Sequence, residues 1–122
     1  MKKLVFYTYP SCTSCRKTKG WLNEHAIHYE ERHLFRNSPK AHELMELIKL
    51  SSSVVKDILA TRSMTYKSLD IDLDNLPLSQ ALQLLSDRPK LLRRPILTDG
   101  EHLIVGYNKE KLIKAAGRWQ GK

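Results

Sequence analysis

Cysteine is nearly absent from this 122-residue chain: Cys12 and Cys15 are the only two. A structural zinc site wants four Cys or His ligands, and no second cysteine pair is present to complete one. The five histidines, His25, His28, His33, His42 and His102, do not fall in the HxxxH spacing of a metal pair, and each reads as a surface or structural residue. No apolar run approaches the ~18–20 residues that cross a bilayer. The run behind Met1-Lys2-Lys3 breaks at Pro10, too short for the apolar part of a secretion signal and without a small-residue cleavage site. The expectation is a cytoplasmic protein, where a structural disulfide is disfavoured and a lone CxxC is redox-active or metal-binding rather than a staple. Internal repeats and low-complexity segments are missing as well.

What remains is an ordinary globular composition, 41% hydrophobic and 28% charged, of a length that suits one domain with one sizeable core. Acidic residues are the minority: 13 Asp and Glu face 21 Lys and Arg, a formal charge of +8. The basic residues concentrate at Arg16-Lys17-Lys19, at Lys90 with Arg93-Arg94, and at Lys109-Lys111-Lys114-Arg118. They read either as a solvated surface or as a long-range attraction to an acidic partner. No zinc-finger or helix-turn-helix signature is present, so an acidic protein face ranks above directly read DNA.

Leu4 to Thr8 is short, apolar and β-branched or aromatic, which predicts a buried strand. Pro10 and Ser11 break it, and a helix is predicted from Thr13 to His25 with Cys15, Trp21, Leu22 and Ala26 on its apolar side. His28 to Leu34 alternates and reads as a second strand. Asn37-Ser38-Pro39 is an N-cap signal for a helix over Lys40 to Leu50, where Leu44, Met45, Leu47 and Ile48 recur at helical spacing. After Ser51-Ser52-Ser53, the residues Val54, Val55, Ile58 and Leu59 predict another helical stretch ending near Thr61-Arg62. Leu76-Pro77-Leu78-Ser79 opens a further helix with Leu78, Ala81, Leu82 and Leu85 on one face. Pro95 to Thr98 is strand-like, Asp99-Gly100 is a two-residue hairpin signal, and Leu103 to Gly106 is its partner strand. A last helix starts at Asn108 and fades towards Gly117. The order β-α-β, helices, β-β-α resembles an α/β thioredoxin-type mixed sheet with a central helical insertion. The expected division is a single domain over 1–122, with 1–36 and 90–118 forming the thioredoxin-like part and 37–89 the insertion. In that fold the CxxC lies at the N-terminus of the first helix, and Arg94-Pro95 occupies the place of a cis-proline facing it.

Cys12 at the mouth of the helix and Cys15 one turn inside share a face at a separation that suits a disulfide. The unpaired N–H groups and dipole of the helix start favour a thiolate, with Arg16 and Lys17 adding positive charge; such sites bring a thiol pKa to ~3.5–7.5 from about 8.5. Cys12 is the expected attacking thiolate and Cys15 the resolving partner. Guanidinium groups hold oxyanions bidentately, which makes Arg62 and Arg94 candidates for an anion site. On spacing alone each reads as a surface arginine.

Taken together, Tyr9-Pro10-Ser11-Cys12-Thr13-Ser14-Cys15-Arg16-Lys17, Trp21-Leu22, Glu31-Arg32, Thr61-Arg62-Ser63, Leu91-Leu92-Arg93-Arg94-Pro95-Ile96 and Val105-Gly106-Tyr107-Asn108 resemble the Spx family of bacterial transcription regulators. Glu31-Arg32-His33-Leu34-Phe35-Arg36 is closer to its MgsR branch, and the resemblance runs from about residue 4 to residue 115. The family belongs to the arsenate reductase (ArsC) superfamily. The resemblance implies a stress regulator, not an enzyme, that binds the C-terminal domain of the RNA polymerase α subunit and meets promoter DNA only within the polymerase complex. It implies a Cys12–Cys15 thiol/disulfide switch sensed by Arg94, with Arg62 beside it, and a polymerase-binding surface at roughly Leu47 to Arg62, including Ser51, Ser52, Ser53, Val54 and Lys56. The ClpXP protease is a further implied partner. Neither cofactor nor metal is expected. The sequence departs from the family at Val54, where Spx proteins usually carry glycine, and it ends soon after Trp119, without the longer tail of many Spx proteins. Tyr107 stands where the third oxyanion arginine of the superfamily's reductases is expected. The alternative is an arsenate reductase or small thiol-disulfide oxidoreductase with Cys12 as nucleophile, Cys15 as resolving thiol, and Arg62 and Arg94 as oxyanion donors.

Overall fold

A computed structural model describes residues 3–51, 58–61, 63–68 and 73–119. In chain order it contains β1 (Val5–Thr8), α1 (Thr13–Glu24), β2 (Glu30–His33), α2 (Ala41–Leu50), α3 (Met64–Lys67), α4 (Leu78–Asp87), β3 (Ile96–Thr98), β4 (Leu103–Val105) and α5 (Lys109–Trp119). The chain forms two compact units, Met1–His33 with Arg94–Lys122, and Leu34–Arg93.

The first unit is built on a four-stranded sheet of order β2-β1-β3-β4. β1 runs parallel to β2 and antiparallel to β3, and β3 is antiparallel to β4. The register places Phe6 opposite Leu97 and Leu97 opposite Ile104, so one apolar row crosses three strands. Trp21 and Leu22 from α1 and Leu112, Ala115 and Trp119 from α5 close over that row in a single core cluster. Fully burying a side chain such as Phe6 or Leu22 contributes about 1.5–3 kcal/mol, which ties both helices to the sheet.

Helix α1 matches its predicted span, but its apolar side is Cys15, Thr18, Trp21 and Leu22. Ala26 is exposed and lies beyond the helix, in the left-handed region at φ 53°. It occupies the position that usually favours glycine at a helix end. The Ala26 N–H donates to Asn23 O and the Ile27 N–H to Leu22 O, the paired bonds of a Schellman motif. Ile27 and Leu22 both enter the core, so the buried partner of the helix end is Ile27.

The link between β3 and β4 is also longer than the Asp-Gly signal predicts. The strands end at Thr98 and resume at Leu103, so four residues make the turn. The reason is the Asp99 side chain. Its Oδ1 accepts the N–H groups of Glu101 (2.8 Å) and His102 (2.7 Å), a local pattern that competes with a tight hairpin. Its Oδ2 accepts the Trp119 Nε1–H at 3.0 Å and lies 3.0 Å from His102 Nδ1. One carboxylate thus shapes the turn and fastens the last turn of α5.

In the second unit α2 packs on α4. Leu44, Leu47 and Ile48 are buried from one helix, and Ala81, Leu82 and Leu85 from the other. Leu78, expected on the apolar face, is 40% exposed. The cap of α2 falls at Lys40 rather than within Asn37-Ser38-Pro39: the Lys40 N–H donates to the Glu43 carboxylate at 2.9 Å. Ser38 instead donates its hydroxyl to Ser86 O near the end of α4. Of the helical stretch predicted over Val54, Val55, Ile58 and Leu59, Val54 and Val55 lie outside the described residues, Ile58 has 3-10 helical backbone, and the helix does not continue through Leu59. Leu59 bridges Leu92 antiparallel, the Ala60 N–H donates to Leu91 O, and the Arg93 N–H donates to Ile58 O. Two apolar pairs, Ile58-Leu59 and Leu91-Leu92, are buried by this pairing across a long sequence separation, which local periodicity does not register. The short α3, which local periodicity does not predict, starts where Ser63 Oγ accepts the Tyr66 N–H.

Burial opposes ionisation of Asp99, but hydrogen bonds from the Trp119 indole, the Glu101 N–H, and the His102 ring and N–H hold its carboxyl well below the usual carboxylate range. A folded-state pKa below the unfolded value of ~3.9 gives stability that is present above that value and lost as pH falls below it. Asp99→Ala is expected to lower urea-unfolding stability by about 2–4 kcal/mol at neutral pH, since it strips charged hydrogen bonds and orphans the Trp119 indole. The loss should shrink as both proteins are acidified below about pH 4. An Asp99→Ala protein as stable as the parent at neutral pH contradicts this account.

Candidate functional site

The candidate site forms where β1 hands over to α1. The Cys12 N–H donates to Tyr9 O at 3.1 Å, which closes the turn through Pro10 and Ser11. Cys12 is then the N-cap of α1, with extended backbone at φ −93° and ψ 122°. Its Sγ accepts the Cys15 N–H at 3.4 Å, taking the part that a serine or aspartate oxygen plays at most helix starts. Cys12 is half-buried and Cys15 is 1% exposed. Both are free thiols.

The two thiols are driven apart electrostatically. Burial alone would push the Cys12 thiol up. Hydrogen bonds from the Cys15 thiol and N–H, the positive charge of Arg94 and the Ser14 N–H outweigh it, and Cys12 lies below the ordinary thiol value. Burial pushes Cys15 up to about 11, and its hydrogen bond to Cys12 adds to that rise against an opposing contact from the Thr8 hydroxyl. The outer sulfur is therefore the better thiolate and the inner one a held-back thiol, as an attacking and a resolving cysteine require.

The fold brings Cys12, Cys15 and Arg94 together. Arg94 is joined to Pro95 by a cis peptide bond, and the Pro95 carbonyl accepts the Gly106 N–H at 2.7 Å. The cation acting on Cys12 is thus Arg94, brought from the far end of the sequence. Arg16 and Lys17, expected to serve this role, line a separate groove beside α5. Thr8 is not singled out by the sequence; its only signal is its place as the last residue of β1, 5% exposed and aimed at Cys15. Tyr9, next along, packs edge-on against His33 with ring centroids 5.7 Å apart. Ser51 caps the end of α2, its N–H and hydroxyl both donating to Ile48 O. Arg62, Ser52, Ser53, Val54 and Lys56 lie outside the described residues. Among the described residues, no group of three His, Cys, Asp or Glu side chains is placed to hold a metal ion.

Iodoacetamide alkylation of Cys12, followed against pH, should show a midpoint below that of free cysteine. Arg94→Ala and Cys15→Ala should each move that midpoint upward, because each removes a group that favours the thiolate. A midpoint at the free-thiol value, unmoved by either change, would falsify this electrostatic picture.

Comparison with known proteins agrees with this geometry. The ArsC family model matches residues 7–115. The regulatory protein MgsR of Bacillus subtilis is 50% identical over 113 residues, 93% of this chain and 90% of the relative. The global transcriptional regulator Spx of Listeria innocua is 44% identical over 109 residues, 89% of this chain and 83% of the relative. Among solved structures, an ArsC family related protein from Bacteroides fragilis superposes with a TM-score of 0.82 at 32% identity, covering 92% of this chain and 96% of that one. An arsenate reductase from Vibrio cholerae shares the fold, with a TM-score of 0.81 at 23% identity over 93% of this chain and 97% of its own. No helix among the described residues is long and apolar enough to cross a membrane. The sheet, the position of the dithiol and the extent of these similarities agree, and the chain belongs to the ArsC family, on its Spx/MgsR side.

Proposed function

We propose that the protein is a redox-responsive transcription regulator that binds the C-terminal domain of the RNA polymerase α subunit, with Cys12 and Cys15 as its switch. The observation that carries the reading is the asymmetric dithiol: a thiolate-favouring Cys12 capping α1 beside a buried Cys15 held as a thiol. The regulators MgsR and Spx, similar along most of their length, support the same reading. In the switch, the Cys12 thiolate attacks one sulfur of a disulfide oxidant and expels the other half as a thiolate. Cys15 then loses its proton and displaces the mixed disulfide. The products are the Cys12–Cys15 bond and two thiols from the oxidant, which has taken up the two electrons. Arg94 acts on Cys12 only while that sulfur carries charge, so its surroundings differ between the two states. Ser51 to Lys56, with Val54 in the place of a glycine, is the proposed polymerase-facing segment, Arg62 is proposed to share the sensing role of Arg94, and promoter DNA is met in the polymerase complex. The single-domain arrangement, with 37–89 as an insertion, cytoplasmic action in a stress response and turnover by ClpXP belong to the same reading.

A pull-down with the isolated C-terminal domain of the polymerase α chain tests it. The oxidised form should bind more tightly than the reduced form by about fivefold or more, the range of ordinary coupling free energies. Val54→Gly should strengthen binding in both states. No binding in either state, with or without Val54→Gly, sinks the reading.

A second reading has one specific observation in its favour: a low-pKa Cys12 beside Arg94 is also the start of an oxyanion-reducing site. Tyr107, exposed and uncharged where a third arginine would serve, argues against it. Arsenate reduction coupled to glutathione and glutaredoxin, or to thioredoxin, should show no turnover above background. Turnover that disappears in Cys12→Ser would instead make the protein an enzyme.

A further inference from the structure

Two of the basic residues beside the dithiol are not used by it. Arg16 and Lys17 line a groove of about 620 Å³ between α1 and α5, with Lys109 on the other side. We propose that this groove is a docking site for an acidic helical segment of a partner protein, which seats an apolar side chain against Tyr107 and Ile113. The proposal is independent of the dithiol reading, since Cys12, Cys15 and Arg94 are not part of the groove.

Three observations carry it. The first is where apolar surface is left exposed. In the unit Met1–His33 with Arg94–Lys122, the large apolar side chains exposed among the described residues are Tyr107 (38%) and Ile113 (57%), and both line this groove. Elsewhere α5 turns its apolar residues inward: Leu112, Ala115 and Trp119 are buried. Ile113 is the exception, and it faces the cavity rather than the core.

The second is Gly20. It sits inside α1, where glycine is less favourable than alanine. Among the described residues, nothing beyond its chain neighbours and the backbone of its own helix lies within 4 Å of where its Cβ would be, so internal packing does not require glycine there. It borders the groove, and the missing side chain leaves room for another backbone to approach.

The third is charge. Arg16, Lys17 and Lys109 rim the groove against one carboxylate, Glu24. The Lys17 ammonium stands 5.9 Å above the Tyr107 ring, beside the apolar seat. An apolar anchor ringed by cations complements an amphipathic acidic helix laid into a groove. Single-stranded nucleic acid is a poorer fit, because it needs exposed rings to stack on. Trp21 is only 7% exposed, one face of the His25 ring stacks on it with centroids 4.0 Å apart, and Lys17 stands over Tyr107, so the groove offers no row of open rings.

The test uses the full chain and a four-turn helical peptide with leucines at i, i+3, i+4 and i+7 and glutamates elsewhere. Amide NMR shifts on titration should concentrate at Lys17, Gly20, Tyr107, Lys109 and Ile113. The double variant Lys17→Glu with Lys109→Glu should weaken binding by about tenfold or more, and the lysine counterpart of the peptide should not bind. Gly20→Gln should raise Tm by about 2–4 °C through helix propensity while weakening the peptide about tenfold, so that lost binding is not lost folding. Gly117→Ala, also a helical glycine with open space but outside the groove, should raise Tm without changing affinity. Absence of binding at millimolar peptide overturns the proposal. So do shifts that fall elsewhere, unchanged affinity in Gly20→Gln, or an oligothymidylate that binds the same residues more tightly than the peptide.

Discussion

The sulfur of Cys12 at the start of α1 is the contact on which the arrangement around it rests. As an N-cap acceptor it satisfies the Cys15 N–H, one of the donors that a helix start leaves without an internal partner. The same position puts the sulfur at the positive end of the helix dipole, where negative charge is favoured. Its location is fixed from both sides. Tyr9, the residue just past β1, offers the carbonyl that receives the Cys12 N–H, and α1 is pinned through Trp21 and Leu22 to the row Phe6, Leu97 and Ile104. Core packing is therefore what sets the geometry of the thiols. A shift of α1 along the sheet would disturb the cap and the thiolate together.

Much of this is legible in the sequence, for a physical reason. β1 and α1 are local structures: a β-branched and aromatic run, a proline break, then helical periodicity. The dithiol sits at their junction, so its place and the order of its two cysteines can be read directly. The parts that are not legible are those decided by distant partners. Leu59 pairs with Leu92 across more than thirty positions, and periodicity alone keeps Leu59 in a helix until that partner is known. Asp99 looks like half of a hairpin signal, yet its carboxylate answers to Trp119 on another element. The neighbours Arg16 and Lys17 are the obvious cations for Cys12 in the sequence, whereas the fold supplies Arg94. Periodicity places Ala26 on the helix, while the backbone has already turned left-handed there to bring Ile27 into the core.

The basic surface accordingly divides by role. Arg94 is the cation whose charge favours the Cys12 thiolate. Lys19 pairs with Glu31 at 3.1 Å, and Lys3 with Glu30 at 3.4 Å, bridges on the exposed edge strand β2 that contribute little to stability. Arg16, Lys17 and Lys109 rim the groove by α5. Among the basic residues, one tunes a sulfur, two pair with carboxylates on an edge strand, and three face outward over apolar surface.

In the proposed switch Cys12 is both helix cap and reactant, and this governs what its variants report. Serine is among the best helix caps, and its oxygen can receive the Cys15 N–H as the sulfur does. Cys12→Ser therefore keeps the helix start while removing the chemistry, whereas Cys12→Ala removes both. A phenotype shared by the two reports on sulfur. One confined to alanine reports on a frayed helix, and a serine protein that outlasts its parent on heating would show that selection has retained a weaker cap for the sake of its reactivity.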